Sequence, residues 1–242
     1  MQFFSVALLF LRWWRQLRLG WLLHATEERQ RIVKRILKVL IVFAEAFAHL
    51  KNLEELHMSD NLFSLLSFLQ TEGLSNLKEL HLAGNQLSRI EGNPFQFLRN
   101  LHVLNLEKNK LREFDFSVVP NGLETLNLHK NYISTLAPTL EKINLLYLDL
   151  SGNNIEVIPN GMFSNLNKLN FINLSNNMLK SLDFYSSLPT TLRKLDVRTN
   201  LMESLADQAG NLIDFSRLDS IQGIYLSQNL WQCSCTFKDL VE

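Results

Sequence analysis

A nine-residue pattern recurs eight times between residues 53 and 229, and it constrains the fold more than any other feature of this 242-residue chain. Its first copies read LEELHMSDN from Leu53 and LKELHLAGN from Leu77, with apolar residues at positions one, four and six. Successive copies begin 24, 24, 22, 22, 24, 23 and 29 residues apart. Eight copies in register exclude coincidence and predict a repeat architecture. Every copy ends in an asparagine: Asn61, Asn85, Asn109, Asn131, Asn153, Asn177, Asn200 and Asn229.

The apolar positions of the pattern predict a stack of short strands. Alternation over L-x-L points the leucines inward and the intervening residues outward. One such turn cannot bury its own apolar face, so neighbouring turns must stack into a continuous core. The full pattern L-x-x-L-x-L-x-x-N identifies the chain as a member of the leucine-rich repeat family. That resemblance implies an α/β solenoid, a horseshoe of eight repeats with a parallel β-sheet on its concave side.

The asparagine that ends each copy is predicted to be structural. It leaves the strand in a tight turn, where inward-facing backbone groups lack partners. An amide side chain both donates and accepts, so a column of asparagines can satisfy these groups. We expect alanine at any of these positions to be more destabilising than its size suggests, because a buried backbone group would lose its partner.

Phenylalanines on the opposite, convex side of the turns are predicted to pack in the core. Phe95, Phe163 and Phe215 precede the apolar anchors of the next copy by three and six residues. That helix-like spacing favours a row of stacked rings. An aromatic binding stripe is the alternative interpretation.

Residues 1–50 differ from the rest of the chain, since they carry eight Lys or Arg and three Glu in a protein of net charge zero. Helical periodicity over residues 27–49 and residues 3–19 predicts two helices. Because a solenoid end exposes its core, we expect residues 1–50 to form a basic, amphipathic helical cap. The alternative is a segment that lies on a membrane surface, where tryptophans neighbour arginines. The segment lacks a clear signal peptide, and no apolar run is long enough to span a membrane.

No pattern in the sequence points to catalysis or to a cofactor. Glycine-rich phosphate-binding motifs and a nucleophile elbow are absent, and zero net charge gives no specific nucleic-acid signal. His57 and His81 hold the same outward position in adjacent copies, beside Glu55 and Glu79. They can be weak metal ligands or ordinary solvated residues, and the second interpretation is favoured. We therefore expect a protein that is not an enzyme and holds neither metal nor cofactor.

Outward positions of the predicted sheet are the remaining candidates for function. Tyr147 and Phe171 hold the same position in adjacent copies, which makes them neighbours on an exposed sheet. Exposed aromatics beside polar groups are typical of interface anchors, although cross-strand packing is the alternative. The sequence Asn173-Leu174-Ser175 is also the single glycosylation sequon, and a glycan there would block this surface. The predicted ligand-binding residues are Tyr147, Phe171, Asp149, Asn173, His129, Asp196 and Arg198.

The only two cysteines, Cys233 and Cys235, follow the last copy in the segment LSQNLWQCSCTFKDLVE. With Asn229 and Trp231 they match N-P-W/F-x-C-x-C, except that Leu230 replaces the proline. This segment resembles the cysteine-containing C-terminal cap of extracellular leucine-rich repeat proteins. Together with the irregular repeat lengths, it is most similar to the C-terminal part of a Toll-like receptor ectodomain. In that family two later cysteines pair with these two, so the resemblance implies a truncated cap whose disulfide partners are missing.

The resemblance also implies a domain organisation and a function. It implies a solenoid over residues 51–231 and the start of the cap over residues 232–242. It implies an extracellular or cell-surface innate immune receptor that binds a microbial or protein ligand on its concave or lateral face and forms homodimers or heterodimers. A membrane span and a signalling domain would follow downstream. The alternative is a soluble or engineered scaffold or adaptor that binds a protein partner, at a membrane surface if the basic N-terminal helices attach there.

Overall fold

The computed structural model describes residues 50–64, 66, 73–136, 143–206, 210–216 and 218–232. All of them lie within one unit of the chain, Phe43–Glu242. The predicted helical cap before residue 50 and the cysteine segment from residue 233 fall outside the described residues. Within the described part, no helix is both long and apolar enough to cross a bilayer.

Short strands recur once per repeat. The described residues contain β1 (Glu55–His57), β2 (Glu79–His81), β3 (Val103–Asn105), β4 (Glu113–Phe114), β5 (Thr125–Asn127), β6 (Thr135–Leu136), β7 (Tyr147–Asp149), β8 (Phe171–Asn173), β9 (Lys194–Asp196) and β10 (Gly223–Tyr225). Eight of them form one sheet in the order β1-β2-β3-β5-β7-β8-β9-β10. Every neighbouring pair in that sheet is parallel. The order follows the chain, as expected for a solenoid in which each turn adds one strand.

The middle residue of each strand supplies the core. Leu104, Leu126 and Leu148 are fully buried, while Val103 and Asn105 on either side of Leu104 stay partly exposed. This alternation is the period of two that the sequence predicts. Because each buried leucine side chain contributes about 1.5–3 kcal/mol, stacking the repeats supplies the apolar burial that one repeat lacks.

The convex side of the described turns is built from turns, two short 3-10 helices and a second small sheet. The 3-10 helices are Phe116–Val118 and Asp183–Ser187, and the second sheet is the parallel pair β4–β6. Both strands of that pair lie in the two copies that are only 22 residues long. The first of these copies also contains the 3-10 helix Phe116–Val118, so a short arc combines a two-residue strand with a short helix.

The predicted phenylalanine row packs differently from a stack. Phe95 and Phe163 are fully buried, and the ring of Phe163 meets that of Phe184 edge-on, with centroids 5.9 Å apart. Phe215 is only half-buried, and its ring meets Tyr185 edge-on at 6.4 Å. The rings therefore meet edge to face, the arrangement that aromatic quadrupoles favour.

The repeat asparagines form a column of hydrogen bonds beneath the sheet. In the middle of the column, Asn153 donates from Nδ2 to the carbonyls of Leu150 at 2.9 Å and of Leu128, one repeat earlier, at 3.0 Å. Its Oδ1 accepts from the backbone N–H of Ile133 at 2.9 Å. Each of these bonds satisfies a backbone group that the turn leaves unpaired. The same links to the preceding repeat occur at Asn85, Asn109, Asn131, Asn177, Asn200 and Asn229, whereas Asn61 bonds only within its own turn among the described contacts.

The residue before each of these asparagines adopts a left-handed backbone conformation. The φ values lie between 52° and 65° at Asp60, Gly84, Lys108, Lys130, Gly152, Asn176, Thr199 and Gln228. This conformation makes the turn tight enough to point the asparagine inward. At Gly84 a Cβ atom would also meet Oδ1 of Asp60, so glycine relieves a close contact there as well as favouring the positive φ.

Candidate recognition surface

Tyr147 and Phe171 form an aromatic pair on the concave face. They are the first residues of β7 and β8, and the parallel register places them directly opposite each other. Their ring centroids are 4.8 Å apart at an interplanar angle of 31°. Both side chains are half-buried, since each ring covers part of its neighbour and leaves the rest open to solvent. The structure therefore places these two predicted residues together.

Asp149 forms hydrogen bonds with the tyrosine of this pair and with the neighbouring Asn173. Its Oδ2 accepts from the Tyr147 hydroxyl at 3.2 Å and from Nδ2 of Asn173 at 3.2 Å. Its Oδ1 accepts from the backbone N–H of Ser151 at 2.9 Å and from the Ser151 hydroxyl. Only 7% of Asp149 is exposed. A carboxylate that is buried with four donors positions its neighbours and has little capacity left to contact a ligand.

The environment of Tyr147 keeps its phenol neutral. Burial, the negative charge of Asp149 and the hydrogen bond to that carboxylate together raise the pKa of Tyr147 to about 12. Each of these causes disfavours the phenolate. At neutral pH the hydroxyl therefore remains a donor to Asp149.

Asn173 lies beside the aromatic pair and is partly buried. Besides donating to Asp149, it accepts through Oδ1 from the backbone N–H of Ser175 at 3.1 Å and from its hydroxyl at 2.8 Å. Both ends of the sequon amide are thus engaged within the sheet. The predicted glycosylation site and the predicted contact surface coincide at this side chain.

His129 extends the network to the preceding repeat. Its Nδ1 is 2.7 Å from the Ser151 hydroxyl, which itself donates to Asp149. Because the serine proton points to the aspartate, the Nδ1 atom carries the hydrogen and donates to Ser151 Oγ. Serine lies between histidine and aspartate, so the histidine cannot withdraw a proton from it as in a nucleophilic triad. We name Tyr147, Phe171, Asp149, Asn173 and His129 the concave patch.

Asp196 and Arg198 lie one strand further along the sheet. Asp196 pairs in register with Asn173 and is 4% exposed. It accepts two bonds from Nε of Arg198, at 3.0 and 3.1 Å, and one from a terminal nitrogen. The guanidinium carbon lies 5.4 Å above the centre of the Tyr225 ring. The hydrogen bonds and charge of Asp196 raise the pKa of Arg198. This pair adjoins the concave patch and is satisfied within the chain.

Sequence reasoning missed one structural role on this face. The last residue of five strands accepts a hydrogen bond from the backbone N–H two residues later, at 2.9–3.1 Å. Asparagine and aspartate favour this local turn because of their short polar side chains. The signal was their recurrence at one outward position in five consecutive copies. The residues are Asn105, Asn127, Asp149, Asn173 and Asp196.

His57 and His81 stack at the other end of the face. Their ring centroids are 4.3 Å apart and the rings are parallel within 2°. Nε2 of His57 is 3.6 Å from Glu55 and Nε2 of His81 is 3.1 Å from Glu79. Parallel rings direct their nitrogens the same way and do not converge on one point. Over the described residues, no group of three or more potential ligands is arranged to hold a metal ion.

Comparisons with known proteins agree with this architecture. A family described as leucine rich repeat matches residues 121–179, and a two-copy leucine rich repeat family matches residues 75–119. A chain in the structure of the Toll–Spatzle complex, from Drosophila, superposes with a TM-score of 0.68 at 25% identity. The chain is a leucine-rich repeat protein. The predicted family and the predicted horseshoe fold are confirmed.

Similar proteins include longer ones. Leucine-rich repeat-containing protein 3 of Danio rerio is 31% identical over 123 residues, which are 50% of this chain and 43% of that protein. Toll-like receptor 7 of Drosophila melanogaster is 33% identical over 127 residues, 51% of this chain and 9% of the receptor. The Toll–Spatzle chain is covered over 27% of its length, with 82% of this chain aligned. This leucine-rich repeat protein thus spans less than half of each of these relatives and resembles part of a Toll-like receptor ectodomain.

Proposed function

We propose that this leucine-rich repeat protein is a non-enzymatic recognition module that binds a protein partner on its concave face, with Tyr147 and Phe171 as the anchor. The observation that supports this best is the half-exposed aromatic pair, 4.8 Å apart on an open sheet. Tyrosine is enriched among interface residues that dominate binding energy, and aromatic residues are enriched at interfaces generally. Covering both rings would remove apolar surface from water without a large loss of side-chain freedom.

The hydrogen bonds beneath the pair favour this function over simple cross-strand packing. Asp149 fixes the Tyr147 hydroxyl and Asn173 at once. Such preorganisation lowers the entropy lost when a partner immobilises the surface. Cross-strand packing alone would be satisfied by two apolar side chains and would not require the hydrogen bond from the Tyr147 hydroxyl to Asp149.

The resemblance to a Toll-like receptor supports a receptor role at the cell surface or outside the cell, in innate immunity and with dimerisation of the solenoid as part of signalling. Two structural neighbours come from protein complexes, Toll–Spatzle and LRIM1/APL1C, which favours a protein over a small molecule as the ligand. The helical cap over residues 1–50 and the cysteine cap over residues 232–242 belong to this proposal.

The proposal excludes a glycan at Asn173. That side chain lies between the aromatic pair and Asp196 in the sheet. An attached glycan would cover the surface that we assign to the partner. Of the two sequence predictions that meet at Asn173, we adopt the contact residue.

A binding screen tests the proposed function. The full chain, secreted from mammalian cells as a multivalent fusion, is screened against an array of extracellular proteins, in parallel with Tyr147→Ala/Phe171→Ala. We expect the wild-type protein to give reproducible hits and the double variant to lose them, with at least about a tenfold loss of affinity. The matched control is His57→Ala/His81→Ala, which removes a second ring pair from the same face.

Folding must be unaffected for this comparison to count. Far-UV circular dichroism and urea unfolding of the double variant show whether the solenoid is intact. Wild-type hits that survive in a folded double variant, or that are lost equally in the histidine control, would contradict the placement of the site.

A further inference from the structure

The first residue of each of the eight concave strands faces outward. Together these residues form a column in which charge and polarity change from one end to the other. The parallel register brings each residue opposite the next, so the column crosses the strands. It is acidic at one end, apolar and aromatic in the middle, and basic near the other end. In spatial order the residues are Glu55, Glu79, Val103, Thr125, Tyr147, Phe171, Lys194 and Gly223. Strands lie about 4.8 Å apart, so Glu79 and Lys194 are separated by about 24 Å.

Other charged groups on this face are either paired within the chain or buried. Asp196 is almost fully buried and holds Arg198 in an ion pair. Glu107 is paired with Lys108 at 2.8 Å, and this contact lowers the pKa of Glu107. Asp149 is buried with its four donors. Asp149 keeps its negative charge, because these donors are neutral, but its burial leaves it less available to a partner than an exposed charge.

The charges at the two ends of the column are different. Within the described part of the chain, the ion-pair partners of Glu55 and Glu79 are the stacked histidines, which neutralise a carboxylate only when protonated. Lys194 is exposed and takes part in none of the ion pairs of the described residues. Arg193, next to it, is also exposed and likewise absent from those pairs. The column therefore presents unbalanced negative charge at β1 and β2 and unbalanced positive charge at β9.

We propose that the partner presents a polypeptide segment that crosses the strands with matching polarity: an acidic side chain at Lys194, an apolar side chain on the aromatic pair, and a basic side chain at Glu55 and Glu79. This inference rests on the proposed function and adds the chemistry and direction of the bound segment. About seven extended residues or about sixteen helical residues span the 24 Å between the charged ends, at about 3.3 and 1.5 Å per residue. Charges at the rim of an apolar contact set register and direction more than affinity.

Selection of peptides tests this assignment. Random 16-residue peptides displayed on yeast are selected on the full chain, and peptides that lose binding to Tyr147→Ala/Phe171→Ala are kept. We expect these peptides to carry an acidic residue and a basic residue on opposite sides of their apolar residues, in either order along the peptide chain. Lys194→Glu is expected to weaken their binding by about threefold to tenfold, the range of an exposed or rim charge pair.

A charge swap makes the test directional. Replacing the peptide's acidic residue with lysine should restore binding to Lys194→Glu but not to Glu55→Lys/Glu79→Lys. Replacing its basic residue with glutamate should do the reverse. The matched controls are Lys168→Glu and Glu203→Lys, which make the same changes of charge at exposed positions outside the column.

The outcomes separate this inference from the proposed function. Peptides that need the aromatic pair but are insensitive to both sets of charge reversals overturn the polarity and leave the recognition surface standing. Failure to enrich any peptide that depends on the pair also overturns the polarity assignment. Peptides that bind the concave face through other residues, with the pair dispensable, overturn the proposed function itself.

Discussion

Two side chains in each central repeat satisfy backbone groups, one at the end of the strand and one four residues later. Around β7 these are Asp149 and Asn153. Asn153 is beneath the sheet and bonds to the carbonyl of Leu128 and the N–H of Ile133, both in the preceding repeat. Asp149 faces the concave side and bonds to backbone only at Ser151, within its own turn. Short polar side chains thus serve a long-range link in one place and a local turn in the other.

This difference separates the part of the repeat that builds the fold from the part that can vary. An asparagine of the column beneath the sheet must fit the backbone of the adjacent repeat, because its hydrogen-bond partners belong to two repeats. The residue that ends the strand has a backbone partner only in its own turn, so its second polar atom, Oδ2 of Asp or Nδ2 of Asn, is available to a neighbouring side chain. His57, His81 and Tyr225 replace the asparagine or aspartate there without interrupting the sheet. Variation on the outward side is therefore compatible with one fold and many surfaces.

Removing an asparagine of the column beneath the sheet should have the largest effect on stability. We expect Asn153→Ala to lower the free energy of unfolding by about 3–5 kcal/mol, because buried groups in two repeats lose their partners together. Urea unfolding followed by far-UV circular dichroism measures this loss. Asn160→Ala, at an exposed asparagine of the next turn, is the control. A loss below about 1 kcal/mol for Asn153→Ala would contradict the conclusion that this side chain satisfies buried backbone groups in two repeats.

Removing the strand-ending aspartate should be less destabilising. We expect Asp149→Ala to lower the free energy of unfolding by about 2 kcal/mol, since its backbone partner is a single N–H and two of its other donors, on Tyr147 and Asn173, belong to partly exposed residues. Asp149→Asn keeps an acceptor for Ser151 and should lie within about 1 kcal/mol of wild type, as asparagine fills this position in other repeats. If Asp149→Ala is as destabilising as Asn153→Ala, the distinction between strand-ending residues and the asparagines beneath the sheet is wrong.

Substitution of the left-handed residue before a column asparagine should have a smaller effect on the free energy of unfolding. This effect can be divided into a backbone part and a contact part. Gly84→Ala would place Cβ 2.3 Å from Asp60 Oδ1 at a φ of 65°. We expect a loss of about 1–2 kcal/mol from the backbone conformation, with an added contribution from that contact. Gly92→Ala has nearly the same φ, 64°, with no atom within 4 Å of the new Cβ, and isolates the first part. Equal losses in the two variants would show that Asp60 moves aside without cost.

The titration of Tyr147 probes the outward network with little change in stability near neutral pH. Its pKa is raised to about 12, against about 10 for an unperturbed tyrosine. The folded state holds the phenolic proton more tightly than the unfolded state does. Its contribution to stability is therefore complete below pH 10 and disappears as the pH rises through about 12.

Tyrosine labelled with 13C at Cζ reports this ionisation by NMR. We expect the Tyr147 signal, assigned from Tyr147→Phe, to remain that of the neutral phenol between pH 9 and 10.5. Asp149→Asn should lower the Tyr147 pKa because a negative charge is removed, although burial still keeps it above the ordinary value. A Tyr147 that titrates at about 10 in the wild-type protein would mean that the ring is not fixed over Asp149.

The fold was predictable from sequence because its determinants are periodic. Leu148 and Asn153 repeat with the spacing of every other turn, and each defines its own environment through stacking. Helix-like spacing at Phe163 gave the correct burial but not the edge-to-face contact with Phe184, since ring orientation depends on neighbours from another repeat. Long-range packing of this kind leaves no mark on local periodicity.

The candidate site was predictable only in part. Register alone placed Tyr147 beside Phe171, because parallel strands align equivalent positions. The burial of Asp149 and Asp196 did not follow from their outward positions. It arises from the donors around them, namely the Tyr147 hydroxyl, Asn173 and the Arg198 guanidinium. Asp149 and Asp196, which the sequence predicts as ligand contacts, thus have a geometry suited to positioning the neighbouring contact residues.

The glycosylation state of Asn173 in secreted protein shows whether the concave face at β7 and β8 is open to a partner, and this measurement requires no knowledge of the partner. The full chain is expressed in the mammalian secretory pathway, and the occupancy of Asn173 is measured by peptide mass spectrometry after enzymatic deglycosylation in heavy-oxygen water. Glu156→Thr creates a second sequon at Asn154, away from the concave face, and serves as the positive control for glycan transfer. If the concave face at β7 and β8 is a protein-recognition surface, Asn173 is unmodified while Asn154 carries a glycan. Full occupancy of Asn173 would contradict the account, since the glycan would cover Tyr147 and Phe171.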